Sequence, residues 1–255
     1  MLTEQKIFET RFKVASTGGG DEKPAKPPVD AEEQEENEKD DSDRIFKIVV
    51  CGDGSSGKTS ICSRFSHDHF DKNYHQTLGL DFFSRRLGLP GEVQVLLQVW
   101  DIGGQSIAGE MLEKYVYGAN AALVVYDVTN SGSFEDVSDW VNAIKRITKQ
   151  QEKPPRLALV GNKTDLEHRR VIRIDKHNKF ADEHGMTSFY VSAKTGDSVT
   201  LMFRQIAADL VGVALSKTDV ESDIVIVEGE VTKEENPVKR RVVDQSKNTA
   251  VCSIQ

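Results

Sequence analysis

The chain has 255 residues, of which 38% are hydrophobic and 29% are charged, and its net charge is −8 at pH 7. Residues 21–43 contain eleven acidic residues and three lysines, so this segment accounts for the whole net charge and the rest is balanced. A balanced remainder argues against a nucleic-acid-binding protein, and no apolar run is long enough to predict a transmembrane helix. Three scattered cysteines argue against a disulfide framework or zinc knuckle and favour a reducing, cytoplasmic setting.

The first 44 residues are predicted to form a disordered, acidic N-terminal extension. Three consecutive glycines (18–20) and three prolines interrupt any helix, and the run of like charges after them repels itself. Residues 2–14 could form a short amphipathic helix, but the signal covers only one short window.

Between residues 45 and 215, apolar strand patterns alternate with helical patterns. Six strands are predicted, over Ile45–Cys51, Leu78–Leu87, Val93–Trp100, Ala119–Asp127, Arg156–Asn162 and Ser188–Ser192. Helices are predicted over Lys58–Phe65, Ser133–Lys149, Asp175–His184 and Ser198–Val213. This alternation predicts an α/β domain with a six-stranded, mostly parallel sheet and helices on both faces. The hairpin signal at Leu89-Pro90-Gly91 predicts one antiparallel edge strand.

The first strand is followed by Gly52–Thr59, which fits the phosphate-binding pattern G-x-x-x-x-G-K-[ST]. Its glycines let backbone N–H groups turn towards phosphates, and the start of the next helix adds a positive dipole. Lys58 can neutralise phosphate oxygens, and the Thr59 hydroxyl can ligate Mg²⁺. The predicted phosphate-binding residues are Gly54, Ser55, Ser56, Gly57, Lys58, Thr59 and Ser60.

A second motif, Asn162-Lys163-Thr164-Asp165, follows the fifth predicted strand. The Asp165 carboxylate can accept two hydrogen bonds from the N1–H and N2–H₂ edge of guanine, and adenine has no such pair of donors. A buried carboxylate left without donors rejects the wrong base. Asn162 can reach the other edge of the ring, and the Lys163 stem can cover its face. Backbone donors of Ser192-Ala193-Lys194 would complete a guanine pocket.

These motifs, in this order, resemble the Ras-superfamily small GTPases over roughly residues 44–215. The resemblance implies that Thr77 belongs to switch I and that Asp101–Gln105 begins switch II. It also implies that Phe70 packs on the guanine and that Tyr74 and Gly104 contact GTP. Thr59, Thr77 and Asp101 are the implied Mg²⁺ ligands, and Gln105 is the implied catalytic residue, which orients the attacking water.

Within that superfamily the chain looks most like the Rab group. Leu78–Phe82 is similar to the Rab I-G-V-D-F signature, and Val124–Thr129 also matches. The usual W-D-T-A-G-Q reads Trp100–Gln105 with Ile-Gly in its middle, and Ser106-Ile107 replaces the Rab Arg-Phe. The combination resembles the divergent Rab-twenty-eight branch. It implies a slow GTPase switch that acts in vesicle or ciliary trafficking with effectors, an exchange factor and a GTPase-activating protein.

Residues 216–255 are predicted to be a flexible tail that ends in a prenylation motif. The last four residues, Cys252-Ser253-Ile254-Gln255, fit C-a-a-X with a glutamine that points to farnesyl. One prenyl chain gives marginal anchoring, and the basic cluster Lys239–Arg241 adds attraction to anionic lipid. We therefore expect reversible association with the cytoplasmic face of membranes and a prenyl-binding chaperone. Ile224–Val227 is the only β-prone stretch of this tail.

Two other functions remain open on the sequence alone. Because Ile102 and Gly103 alter switch II, the protein could be a nucleotide-loaded scaffold that switches weakly. A P-loop kinase would share the phosphate-binding motif, but the guanine motif at Asn162–Asp165 disfavours it.

Overall fold

The computed structural model describes residues 44–223. The acidic segment at 21–43, the β-prone stretch at 224–227 and the prenylation motif at Cys252 lie outside this range. The six strands are β1 (Arg44–Cys51), β2 (Leu80–Leu89), β3 (Val93–Ile102), β4 (Ala121–Asp127), β5 (Arg156–Asn162) and β6 (Thr187–Tyr190). The helices are α1 (Lys58–His67), α2 (Leu112–Val116), α3 (Ser131–Glu135), α4 (Val137–Thr148), α5 (Ile174–His184), α6 (Val199–Val211) and α7 (Lys217–Ser222). Two 3₁₀ helices span Gly104–Ala108 and Thr164–Arg169.

The strands form one sheet in the order β2-β3-β1-β4-β5-β6. Every neighbouring pair is parallel except β2 and β3, which are antiparallel and joined through Pro90–Glu92. This confirms the predicted fold class, including the antiparallel edge strand. The sheet reverses its winding at β1, which lies between β3 and β4, and ligands of such folds bind beside this point at the carboxyl ends of the strands.

Each face of the sheet has its own hydrophobic core because successive side chains of a strand point to opposite faces. Ile48 and Val50 of β1 pack with α1 and α6 on one face. Val49 and Cys51 pack with α2, α3, α4 and α5 on the other. All residues of β4 are buried, as expected of a central parallel strand covered on both faces.

Most predicted elements differ by one or more residues from the bounds in the structure, and three of these differences have a local cause. The helix predicted over Ser133–Lys149 is two helices, which are separated at Asp136. The first begins early because Asn130 accepts hydrogen bonds from the backbone N–H groups of Gly132 and Ser133. β2 begins two residues later than predicted, after Gly79, whose carbonyl accepts a hydrogen bond from the Gly103 N–H. β6 ends at Tyr190, since the chain at Ser192 turns to bond with Asp197.

The helix α7 was not predicted and lies in the segment expected to be a tail. Ser216 and Asp219 form a capping box at its start, and Asp223 after its end lies 3.0 Å from the Arg204 guanidinium of α6. Helical structure thus continues past α6. Within residues 44–223, no helix has both the length and the apolar character needed to cross a membrane.

Candidate nucleotide site

A cavity of about 690 Å³ lies at the carboxyl ends of β1 and β5. It collects most of the site residues predicted from sequence, namely Gly54, Ser55, Gly57, Lys58, Thr59, Ser60, Phe70, Tyr74, Thr77, Gly104, Gln105, Asn162, Lys163, Asp165, Ala193 and Lys194. Ser56, Asp101 and Ser192 do not line it. Each of these three is buried and hydrogen-bonds to a residue of the wall.

The loop Gly52–Thr59 wraps the head of its own lysine. Lys58 Nζ donates to the carbonyl oxygens of Gly52, at 2.9 Å, and Asp53, at 2.7 Å. Burial lowers the pKa of the Lys58 ammonium. Gly57 has φ of 90°, and a Cβ there would lie 2.3 Å from Asn162 Nδ2, so only glycine fits between this loop and β5. The loop therefore places a cationic group at the wall of the cavity.

At one end of the cavity, two hydroxyls and a carboxylate form an oxygen-rich cluster. Thr59 Oγ1 lies 2.6 Å from Thr77 Oγ1 and donates to Asp101 Oδ2 at 2.5 Å. Burial raises the pKa of Asp101 to about 6, and its Oδ1 is a buried atom without a hydrogen-bond partner. Hydroxyl and carboxylate oxygens are the ligands Mg²⁺ prefers, and a bound cation would satisfy the orphaned oxygen. The three residues predicted as metal ligands therefore fit a magnesium ion.

At the other end, the side chain of Asn162 joins three loops. Its Nδ2 donates to Ser56 O at 2.9 Å, and its Oδ1 accepts from the Ala193 N–H at 3.1 Å. Asp165 Oδ1 accepts from the Ser192 hydroxyl at 2.8 Å, and Lys194 Nζ lies 3.5 Å from Asp165 Oδ2. Asn162 thus orders the pocket through protein contacts, while the fixed Asp165 carboxylate lines the cavity as an acceptor.

Comparison with known proteins agrees with this geometry. The family model described as the Ras family matches residues 47–212. The chain is 56% identical over 246 residues to the Ras-related protein Rab-28 of Caenorhabditis elegans, which covers 94% of this chain and 99% of that protein. The chain belongs to the Ras family of small GTPases. It is similar to the Rab-28 branch, as the motifs predicted, and as a GTPase it binds GTP and hydrolyses it to GDP and phosphate.

The catalytic glutamine predicted for this GTPase lies in a short 3₁₀ helix. Gln105 is exposed and lines the cavity together with Thr77 and Gly104. Phe70 and Tyr74 both line the cavity from the loop between α1 and β2. Phe70 also packs against the core beside α1, whereas Tyr74 is 66% exposed. The two aromatic residues therefore differ in how firmly the fold holds them.

Sequence reasoning missed one polar residue of this GTPase, Asp127 at the end of β4. Its Oδ2 lies 2.7 Å from Lys163 Nζ, which also donates to Ser55 O at 2.9 Å. Asp127 belongs to no phosphate or guanine motif, and the match of Val124–Thr129 to the Rab group gave it no role. Its position in the sequence could have indicated it, because Asp127 is an acidic residue at the end of a fully buried strand. That strand pairs with β5, which leads into Asn162–Asp165.

Proposed function

We propose that this GTPase is a Rab-type switch that recruits effectors to membranes in vesicle or ciliary trafficking when GTP is bound. The main support is the convergence of Thr77 of switch I and Gly104 and Gln105 of switch II on one cavity. A γ-phosphate there would give both loops a common partner, and its loss on hydrolysis would release them.

The nucleotide contacts follow from the lining of the cavity. Lys58 and the N–H groups of its loop bind the phosphates, and Asp165 accepts the hydrogen bonds of guanine, with Lys163 over the ring. Ras-family GTPases generally use Mg²⁺, and here Thr59, Thr77 and Asp101 would hold it. The ion would supply positive charge beside the phosphates.

Thr59→Asn is expected to weaken Mg²⁺ and GTP binding, because the hydroxyl proposed to hold the ion is lost. Calorimetry with and without Mg²⁺ measures the change, and unaltered GTP affinity would contradict it.

Gln105 orients the attacking water in this proposal and does not act as a strong base. No arginine lines the cavity formed by the described residues, so none is placed to stabilise the developing charge. We therefore expect slow intrinsic hydrolysis, on the order of 10⁻⁴ s⁻¹ as for Ras alone, and acceleration by a GTPase-activating protein.

An exposed apolar surface beside switch I is the proposed effector contact. Leu78 is 83% exposed and Phe82 is 60% exposed. The Phe82 ring meets the Trp100 ring edge-on, with centroids 4.7 Å apart. The Lys47 ammonium lies over the Trp100 ring, 3.6 Å from its centroid. Exposed apolar side chains grouped in this way are typical of protein-binding surfaces, and Thr77 lies next to them in the chain.

A pull-down from a cell extract tests the switch. Gln105→Leu protein loaded with GTP should capture partners that the GDP-loaded protein does not. Phe82→Ala should lose them, and Tyr117→Ala serves as the matched control because Tyr117 is 71% exposed and lies after α2. Equal capture in both nucleotide states would instead favour the weakly switching scaffold.

Membrane attachment is proposed through prenylation of Cys252, aided by Lys239–Arg241 and a prenyl-binding chaperone. Replacing Cys252 by Ser should move the protein from the membrane fraction to the supernatant. Intact partitioning of this variant to membranes would contradict the proposed anchor.

A further inference from the structure

We infer that Asp127 is a positioning residue for nucleotide retention, acting through Lys163. Asp127 is 7% exposed and does not line the cavity, so it is not placed to touch a nucleotide. Its Oδ2 lies 2.7 Å from Lys163 Nζ, and Lys163 does line the cavity. The carboxylate therefore reaches the nucleotide only through the lysine. This role of Asp127 rests on the proposed contact between the Lys163 stem and the base.

The carboxylate is fixed before it meets the lysine. Its Oδ1 accepts two hydrogen bonds from Thr129, one from the backbone N–H at 2.8 Å and one from the hydroxyl at 2.7 Å. The backbone of Asp127 is also held in place, because its N–H donates to Ser133 Oγ at 3.1 Å. Because Oδ1 is bound to Thr129, the orientation of the carboxylate is fixed, and Oδ2 is held where it meets the ammonium of Lys163.

The backbone of Lys163 is in the left-handed region, with φ of 70°. Its Nζ also donates to the carbonyl of Ser55, a residue of the phosphate-binding loop with φ of 59°. The ion pair with Asp127 thus orients one side chain that connects two loops of unfavourable backbone conformation. Without the charge of Asp127, Lys163 Nζ would keep its hydrogen bond to the Ser55 carbonyl but lose the ion pair, so the lysine stem would be held by one contact in place of two.

The test is a double-mutant cycle on nucleotide release. Asp127→Asn keeps the size of the side chain and removes its charge, and we expect GDP to dissociate about ten-fold faster. Lys163→Met should also speed release. Because Asp127 acts through Lys163, the double variant should release GDP no faster than Lys163→Met alone, whereas a general loss of structure would add to it. Asp182→Asn, which changes an exposed aspartate of α5, is the control and should behave as wild type.

The outcomes separate this role from the function it rests on. If Lys163→Met leaves GDP release unchanged, the proposed base contact of Lys163 is wrong and the role of Asp127 falls with it. If Lys163→Met speeds release but Asp127→Asn does not, or if the two effects multiply, only the role of Asp127 is overturned. Should Asp127→Asn not fold, Thr129→Val takes its place. It should speed GDP release about three-fold when Lys163 is present, and it should have no effect in the Lys163→Met variant.

Discussion

The two sides of the cavity are ordered by different kinds of contact. On the base side, formed by residues 162–165 and 192–194, side chains connect loops that are distant in sequence: Asn162 bonds to Ser56 and Ala193, and Ser192 bonds to Asp165. On the switch side, formed by residues 68–79 and 101–108, residues 68–79 form neither helix nor strand. There the two loops meet through one backbone hydrogen bond, from the Gly103 N–H to the Gly79 carbonyl at 2.9 Å, and through the longer 3.4 Å contact of the Thr77 hydroxyl with Asp101 Oδ2.

This difference suits the two tasks that a switch combines. The base side has its hydrogen bonds within the protein, so it can recognise a nucleotide without rearranging. On the switch side, the Thr77 hydroxyl and the buried Asp101 Oδ1 lie where phosphate and metal would add contacts, so the ligand contributes to its order. Substitutions on the two sides should therefore affect different measurements.

The largest expected effect is on the base side. Asp165→Asn replaces the proposed acceptor of the guanine N1–H and N2–H₂ groups with an amide, and we expect GDP affinity to fall by about 10³-fold or more. Affinity for xanthosine diphosphate should rise, because an amide can donate to the xanthine oxygen. Titration with fluorescent analogues of both nucleotides measures the change. Unaltered GDP affinity would place base recognition elsewhere.

The next effect is confined to the switch side. Gln105→Leu should slow single-turnover GTP hydrolysis by about 10²-fold, since the attacking water loses the group that orients it. GDP affinity should stay within two-fold of wild type, because Gln105 is exposed and takes no part in the base-side contacts. An unchanged rate of hydrolysis would show that Gln105 is a plain surface residue.

The sequence predicted the local parts of both sides and missed the contacts between them. Gly52–Thr59 and Asn162–Asp165 are found because each motif lies within a few residues, directly after a buried strand. The Asn162–Ser56 contact spans 106 residues and depends on how β1 and β5 lie in the sheet. Asp127 was missed for the same reason: its partner Lys163 is brought near by the pairing of β4 with β5.

Helix boundaries show a second limit. The apolar period over Ser133–Lys149 is continuous, so it predicts one helix, but capping by Asn130 starts a separate short helix that ends at Glu135. The helix α7 was missed because it spans only Lys217–Ser222 and depends on a capping box and an ion pair with α6. Short helices of this kind carry too few residues to show a period.

A smaller effect is expected where the two switches meet. The Ras superfamily usually has Ala at the position of Gly103, and a Cβ there would lie 2.6 Å from the Thr77 carbonyl oxygen. Gly103→Ala should therefore displace the Thr77 backbone and slow hydrolysis by about three- to ten-fold, with GDP affinity unchanged. Gly132→Ala in α3 is the control, since its Cβ would meet only the end of the Asn130 side chain. Hydrolysis at the wild-type rate in Gly103→Ala would mean that the switches do not need this close approach.

The smallest effect concerns the contact of α5 with the sheet, where His177 is fully buried. Its Nδ1 lies 2.8 Å from Tyr126 Oη and its Nε2 lies 2.6 Å from Ser188 Oγ. Burial, and secondly the charge of Arg170, lower the pKa of His177 to about 4.

Between pH 6.5 and 4 the unfolded chain therefore binds a proton at His177 that the folded protein excludes, so stability falls as the pH is lowered. From pH 7.5 to 5.5 this histidine should account for a loss of about 1 kcal/mol. Denaturant unfolding of His177→Gln at saturating GDP should show a correspondingly shallower pH dependence, whereas His168→Gln, at an exposed position, should keep the wild-type slope. Parallel curves for His177→Gln and wild type would contradict this. Because neither His177 nor its partners Tyr126 and Ser188 line the cavity, its replacement should leave the hydrolysis rate per folded molecule unchanged.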